Sequence, residues 1–209
     1  MRLFALLLAS ASFFLSPGVQ AQAKELAPDA LVKSVTDEVL DIIRKDKDIK
    51  AGSTRRAIEL VEQKVLPHFN FSRMTALAVG RDWRQATPEQ QKALTEEFRD
   101  LLVRTYSNAL TAYKNETVDY RPFKMQPGAT DVTVRTQIHQ SGARQPIKLD
   151  YSLERNGNAW KVYDVVVADV SLVTNYRSSF ATEIRNGGID GLVKTLKAKN
   201  SSLEAANRK

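Results

Sequence analysis

Between residues 26 and 47, Leu31, Val35, Val39, Ile42 and Ile43 recur at helical spacing among Asp, Glu and Lys. That pattern predicts a surface helix with one buried stripe. Gly52-Ser53 interrupts it, and Ser53 is placed to cap a second helix that carries Ile58, Val61 and Val65 and stops at Pro67. Asn70 suits the N-cap of a short third helix from Phe71 to Val79, with Gly80 as its C-cap. The clearest helix start is Thr87-Pro88-Glu89-Gln90. Thr87 takes the N-cap, Pro88 sits at N1 where a missing N–H costs nothing, and Gln90 at N3 completes a capping box. The long helix it opens is expected to reach about Lys114, with Leu94, Phe98, Leu101, Leu102, Thr105, Ala109 and Tyr113 facing inward.

The period then changes from 3.6 to 2. Val118 and Tyr120 alternate with polar residues, and Pro122 marks an edge strand. Val132, Val134 and Ile138 alternate with Thr133, Arg135 and Gln137; after a turn at Ser141-Gly142, Ile147, Leu149, Tyr151 and Leu153 resume the alternation. Asn156-Gly157 is a strong hairpin signal. Trp160 to Ala168 reads as apolar on both faces, Trp160 and Val162 on one and Tyr163, Val165 and Val167 on the other, so this strand is expected to be covered on both sides. Helical spacing returns at Leu172, Val173, Tyr176 and Phe180, ends at Gly187-Gly188, and resumes with Ile189, Leu192, Val193 and Leu196.

The element order predicts an α+β fold: a curved antiparallel sheet packed on a long helix, with the other helices left to cover the sheet's second side or to build a small second lobe, a helical subdomain. Residues 22–86, joined by 189–200, are assigned to the helical subdomain, 87–188 to the helix-plus-sheet body and 200–209 to a polar tail.

The first 21 residues stand apart. Arg2 precedes an apolar run from Leu3 to Leu15, Pro17-Gly18 breaks it, and Val19 and Ala21 put small residues at −3 and −1 of a cleavage site. A bilayer-spanning helix needs ~20 apolar residues, so the run reads as a signal peptide cleaved near Ala21 rather than an anchor. With no Cys in the chain, a lipoprotein anchor, a disulfide framework, a thiol nucleophile and a Cys-ligated metal are excluded. The protein is expected to be exported and released.

Thirty-one Lys and Arg against 24 Asp and Glu give a net charge of +7, spread along the chain with acidic neighbours. That permits weak attraction to anionic lipid without resembling a nucleic-acid footprint. Two His, no clustered carboxylates, no Gly-x-Ser-x-Gly and no Gly-rich phosphate loop leave enzymatic constellations thin, with no metal site expected. The best general-base candidates are Asp150 and Asp164, with His139 on another strand. Alternation turns Asp150 to solvent, and puts Asp164 on the Trp160–Val162 face, where a neighbouring Arg would account for it. The aromatic residues could fill a solid core or line a hollow one; pattern alone does not separate the two.

Several blocks carry a resemblance: Val65-Leu66-Pro67-His68-Phe69-Asn70-Phe71, Gly80-Arg81-Asp82-Trp83-Arg84-Gln85-Ala86-Thr87-Pro88-Glu89-Gln90, and Phe98-Arg99-Asp100-Leu101-Leu102-Val103-Arg104-Thr105-Tyr106. To these add Trp160-Lys161-Val162-Tyr163-Asp164-Val165 and Ser171-Leu172-Val173-Thr174-Asn175-Tyr176-Arg177-Ser178-Ser179-Phe180. In this order they resemble the MlaC family of periplasmic phospholipid-binding proteins, also called toluene-tolerance proteins. The chain departs from the family pattern in having Asn70 where Asp is usual and Ala168-Asp169-Val170 where Glu-Gly-Val is usual.

The resemblance implies an NTF2-like sheet domain with a helical subdomain, no enzymatic activity and no cofactor. The bound ligand is a diacyl glycerophospholipid, its tails in a hydrophobic cavity. The implied partners are the inner-membrane MlaFEDB complex, through its MCE-domain subunit, and the outer-membrane MlaA–porin complex, with the carrier a monomer that maintains outer-membrane lipid asymmetry. Tail contacts are expected from Val134, Ile138, Leu149, Tyr151, Val165 and Val167 on the strands, Phe98, Leu102 and Tyr106 on the long helix, and Val173, Tyr176 and Phe180 on the next. Arg104, Asp164 and Arg177 are assigned to structural pairing. The alternatives are an NTF2-like small-molecule enzyme of isomerase type, using Asp164 or His139, and a periplasmic adaptor with a solid core.

Overall fold

A computed structural model describes residues 26–140 and 142–207, so the expected signal peptide lies outside the described residues. The helices are α1 (Pro28–Lys45), α2 (Lys47–Lys50), α3 (Thr54–Lys64), α4 (Phe71–Val79), α5 (Pro88–Tyr106), α6 (Asn108–Thr111) and α7 (Arg177–Asn207). The strands are β1 (Thr117–Tyr120), β2 (Asp131–His139), β3 (Ile147–Asn156), β4 (Ala159–Val167) and β5 (Val170–Ser171). The fold is α+β, with a single antiparallel sheet in the order β1-β2-β3-β4-β5.

The caps act where the sequence places them. Ser53 accepts from the Arg56 N–H, Asn70 from the Arg73 N–H, and Thr87 and Gln90 form the reciprocal capping box. Asp46, which the pattern had not singled out, accepts from the N–H groups of Asp48 and Ile49 at 3.0 Å and pairs with Arg56 at 2.8 Å, so one carboxylate turns the corner from α1 into α2 and holds α3. α7 is two arms: at Gly188 the backbone adopts φ 68° and ψ −171°, which only Gly takes without strain.

The long helix is shorter than expected. Its ladder gives way after Tyr106 to i→i+3 bonds, Leu110 N–H to Ser107 C=O at 3.0 Å and Tyr113 N–H to Leu110 C=O at 3.4 Å. Tyr113 thereby leaves the expected α5 stripe and, with Leu110, joins a core made with Val39, Ile43, Ile49 and Leu60.

A β-bulge changes the expected facing of β4. Leu153 pairs with Val162 but Ser152 pairs with Asp164, so Tyr163 is an extra residue on the bulged strand. The insertion shifts the phase: Val165 and Val167 rejoin the Trp160–Val162 face, and Asp164 goes to the opposite one. This corrects the reading of β4 as apolar on both sides.

Two further cores divide the molecule. Leu94, Phe98, Leu101 and Leu102 of α5 pack with Met74, Ala78 and Val79 of α4 and Phe180, Leu192 and Leu196 of α7. The apolar face of the sheet packs under Leu31 and Val32 of α1. The helix with its core residues on that face is thus α1, while α5 buries its stripe between α4 and α7.

Candidate functional site

One face of the sheet is apolar from edge to edge. The register aligns Val118 with Ile138, Val134 with Tyr151, Thr136 with Leu149, Ile138 with Ile147, Leu149 with Val167 and Tyr151 with Val165. None of these residues is charged. The exception to hydrocarbon at its centre, Thr136, is buried and donates its hydroxyl to the Leu149 carbonyl at 2.8 Å, which satisfies it without water.

Cover over this face is graded. At the end near the β3–β4 hairpin, Leu153 is 0% exposed and Trp160 and Val162 are each 3% exposed, sealed by Leu31, Val32 and the half-buried Phe69. Toward the other end, Val118, Ile138, Ile147, Leu149 and Val167 are only half-buried. The sheet therefore has a closed end and an open end. Burying apolar surface stabilises at ~25 cal/mol per Å², so a half-covered apolar face gains by meeting more hydrocarbon.

Helix α1 also ties down the polar tips on this face. The Tyr120 hydroxyl donates to Asp37 at 3.0 Å, and the Thr36 side chain hydrogen-bonds with both Tyr120 and Tyr151. Burial pushes the Tyr151 hydroxyl up to about 12. Burial, and then the Asp37 carboxylate, raise Tyr120 as well. The Lys33 ammonium, 2.6 Å from Asp37, holds that carboxyl below the usual range. The polar groups bordering the face are thus neutral or paired, and what the face offers a ligand is hydrocarbon. A shallow groove on the outer side of α1, lined by Glu38, Asp41, Ile42, Lys45 and Asp46, is too charged for that use.

Of the twelve side chains expected to touch a ligand, the structure brings six together: Val134, Ile138, Leu149, Tyr151, Val165 and Val167 share this face. It does not bring the helical ones to them. Phe98, at 0% exposure, sits edge-on to Tyr176 and Phe180 with centroids 5.1 and 5.2 Å away, inside the α4–α5–α7 core that also holds Leu102 and Val173. Phe98 and Phe180 are buried in this core, and Tyr176 is half-buried at its edge. Tyr106 is 39% exposed. Sequence reasoning passed over Val118, Ile147 and Val35, although the alternation contained the first two.

Among the described residues, no Arg pairs with Asp164, against expectation. It accepts from the Ser171 hydroxyl at 2.6 Å and from the N–H groups of Val165 and Val173 at 2.8 and 3.2 Å, fixing the chain as β4 passes through β5 toward α7. Arg177 donates to the Leu77 carbonyl at 2.9 and 3.1 Å rather than to a carboxylate, and Arg104 lies 3.5 Å from Glu204. Asp150 faces away from the apolar side and lies 3.6 Å from Arg135; His139 lies 3.1 Å from Asp119 on the sheet's exposed rim. Among the described residues, no three His, Asp or Glu are grouped to hold a metal ion.

A family model described as MlaC protein matches residues 33–198, most of the chain and all of the apolar face. The chain belongs to the MlaC family. Two MlaC-type relatives are each 26% identical: the intermembrane phospholipid transport system binding protein MlaC of Haemophilus influenzae, over 81% of this chain and 80% of its own, and the toluene tolerance protein ttg2D of Pseudomonas putida, over 78% and 75%. The MlaC fold is also matched by a solved structure, the phospholipid-binding protein from Ralstonia solanacearum in complex with a phospholipid. It is 40% identical, with a TM-score of 0.79, covering 86% of this chain and 99% of that one.

Proposed function

We propose that this MlaC-family protein is a periplasmic phospholipid carrier. The observation that carries the reading is the apolar sheet face, sealed at one end and half-covered at the other, with its polar groups internally satisfied. The phospholipid held by the Ralstonia relative supports it. Acyl tails would lie along Ile138, Leu149, Tyr151, Val165 and Val167 toward Val134, and the headgroup would face water at the open end.

Physical necessity gives the carrier its role. Each tail CH₂ left in water costs ~0.8 kcal/mol, so a free diacyl lipid does not cross an aqueous compartment unaided. An apolar groove removes most of that cost. Because a bilayer interior is equally apolar, exchange between groove and membrane is nearly neutral and needs no catalytic residue. It also has no intrinsic direction, which must come from partners. The reading therefore includes an inner-membrane MlaFEDB complex, met through its MCE-domain subunit, and an outer-membrane MlaA–porin complex. Maintenance of outer-membrane asymmetry is the expected outcome, after export by a signal peptide cleaved near Ala21. Residues 22–86 with 189–200 would act as the helical subdomain against an NTF2-like body of 87–188.

Organic extraction of the purified mature protein followed by mass spectrometry tests this. Near-stoichiometric diacyl glycerophospholipid is expected. Folded protein that carries none, and takes up none from phospholipid vesicles, would overturn it.

A further inference from the structure

Along β3 the cover over the apolar face changes at one residue. Ile147 and Leu149 are half-buried, whereas Leu153, two residues past Tyr151, is 0% exposed. The neighbouring strands change at the same level. Val134 and Val165, the partners of Tyr151 in register, are buried, while Ile138 and Val167, nearer the rim, are half-buried. Of the two rows nearer the rim, only Thr136 is buried. Tyr151 itself is half-buried, and its side chain hydrogen-bonds with Thr36 of α1. Tyr120, one row nearer the rim, donates to Asp37 of the same helix at 3.0 Å, so α1 is tied to the face at this level. Past Tyr151, Leu31, Val32 and Val35 of α1 pack with Leu153 and Val162. Side chains stand roughly perpendicular to a sheet, so the Tyr151 ring crosses the gap between the face and the helix.

We infer that Tyr151 is a specificity-determining residue: its ring, braced against α1, is the inner stop that sets how long an acyl tail the face accommodates. The inference deepens the carrier reading and rests on it. The lengths agree. Ile147 and Tyr151 are four residues apart on β3, roughly 13 Å of strand. One leaflet's tails span ~15 Å, half of a hydrocarbon core of ~30 Å. A tail laid on this stretch brings its methyl end to Tyr151 while its ester end stays at the rim. An aromatic ring suits the task because it turns about few bonds, and here its hydroxyl has a partner to lose on being displaced. The stop acts only on tails that outgrow it. A vesicle buries every methylene as well as the face does, so lengthening a tail changes nothing until it reaches the ring. Each further methylene left uncovered lowers retention relative to the vesicle by about fourfold.

The test is a competition among tail lengths. The mature protein is incubated with vesicles holding equal amounts of monounsaturated phosphatidylglycerols, from dimyristoleoyl to dierucoyl, then reisolated, and its bound lipid is extracted for mass spectrometry. The wild type is expected to hold the shorter species in the vesicle's own proportions and to discriminate against the longest. In Tyr151→Leu the cut-off should move to longer tails, raising the retained ratio of dierucoyl to dimyristoleoyl lipid on the order of tenfold, the factor for one or two methylenes newly covered. Leu149→Phe brings a ring one row nearer the rim and should move the cut-off to shorter tails; it decides the matter if Tyr151→Leu fails to fold. An unchanged length profile in the folded variants would overturn the inference, because a merely structural role alters stability or the amount of lipid held without altering its length distribution. A wild type that takes up every length alike would overturn it too. A wild type that takes up none of these lipids would instead defeat the carrier reading.

Discussion

Replacing Leu149 by Asp places a carboxylate in the middle of the apolar face, between Thr136 and Val167 in register. Leu149 is half-buried at the margin of the sheet core, and its carbonyl accepts from Thr136. The introduced carboxyl can therefore stay hydrated in the folded chain, and folding should survive. Covering it with acyl tails is another matter: the group must lose its water or take up a proton. Protonating a carboxyl of ordinary pKa ~3.9 at neutral pH costs about 4 kcal/mol, close to a thousandfold in affinity. Lipid retention in Leu149→Asp should drop by about that factor near neutrality. Because tails favour the protonated form, binding should recover about tenfold for each pH unit of acidification until the carboxyl's own pKa is reached. Leu149→Asn is the control: weaker binding with no pH dependence. The assay is bound phospholipid per protein after vesicle incubation across a pH series, with circular dichroism to verify folding. A folded Leu149→Asp that holds lipid at neutral pH as the wild type does would refute the placement of tails on this face.

Three further outcomes follow from the geometry. Asn70→Asp gains ~0.3–1 kcal/mol from the helix dipole but sets a carboxylate where the amide now meets Glu154 at 2.6 Å; a net loss of about 1–3 kcal/mol in urea unfolding is expected near neutrality. That repulsion raises the folded-state carboxyl pKa, so the deficit should shrink as pH falls through the carboxylate range, and an equally stable variant would contradict the Glu154 contact. Phe98→Ala should cost ~3–5 kcal/mol, since it empties a fully buried site bounded by two edge-on rings, and should leave lipid content per folded molecule intact. Burial raises Tyr151 and Tyr176 each to about 12, so the folded state keeps protons that an unfolded chain releases from ~10 upward. Stability should therefore fall as pH rises between those values, more gently in Tyr151→Phe, and phenolate absorbance should show both tyrosines titrating late.

Much of the architecture is legible because caps and periods are local. Asn70, Thr87 and Gln90 do their work within four residues of chain, and the two-residue alternation of β2 and β3 needs no distant information. The strand half of the candidate site came from the same alternation. The helical half did not, because an inward stripe says only that a side chain is buried. Phe98 and Leu149 are both inward; one is locked among rings, the other borders open surface. The bulge at Tyr163 escaped notice for a related reason: β4 carries no Gly or Pro, and an apolar run keeps the same composition whichever way its phase is shifted. The early end of α5 was hidden likewise, since Ala109 and Tyr113 continue the helical spacing while the backbone turns to another core.

Taken alone, the order of residues determines which segments are helices and strands, where most of them begin, and which side of each is apolar; these follow from side-chain spacing and from backbone groups bonded to near neighbours. Tertiary structure decided that α1 covers the sheet, that α5 is spent on α4 and α7, and that one end of the apolar face stays half-open. It also decided that Asn70 meets Glu154, 84 residues away, and that Arg73 reaches the same carboxylate across 81. Such meetings depend on how the chain doubles back on itself, and on a choice among many equally apolar surfaces. Close packing and the pairing of buried charge make that choice, and neither is expressed until the layers are in contact.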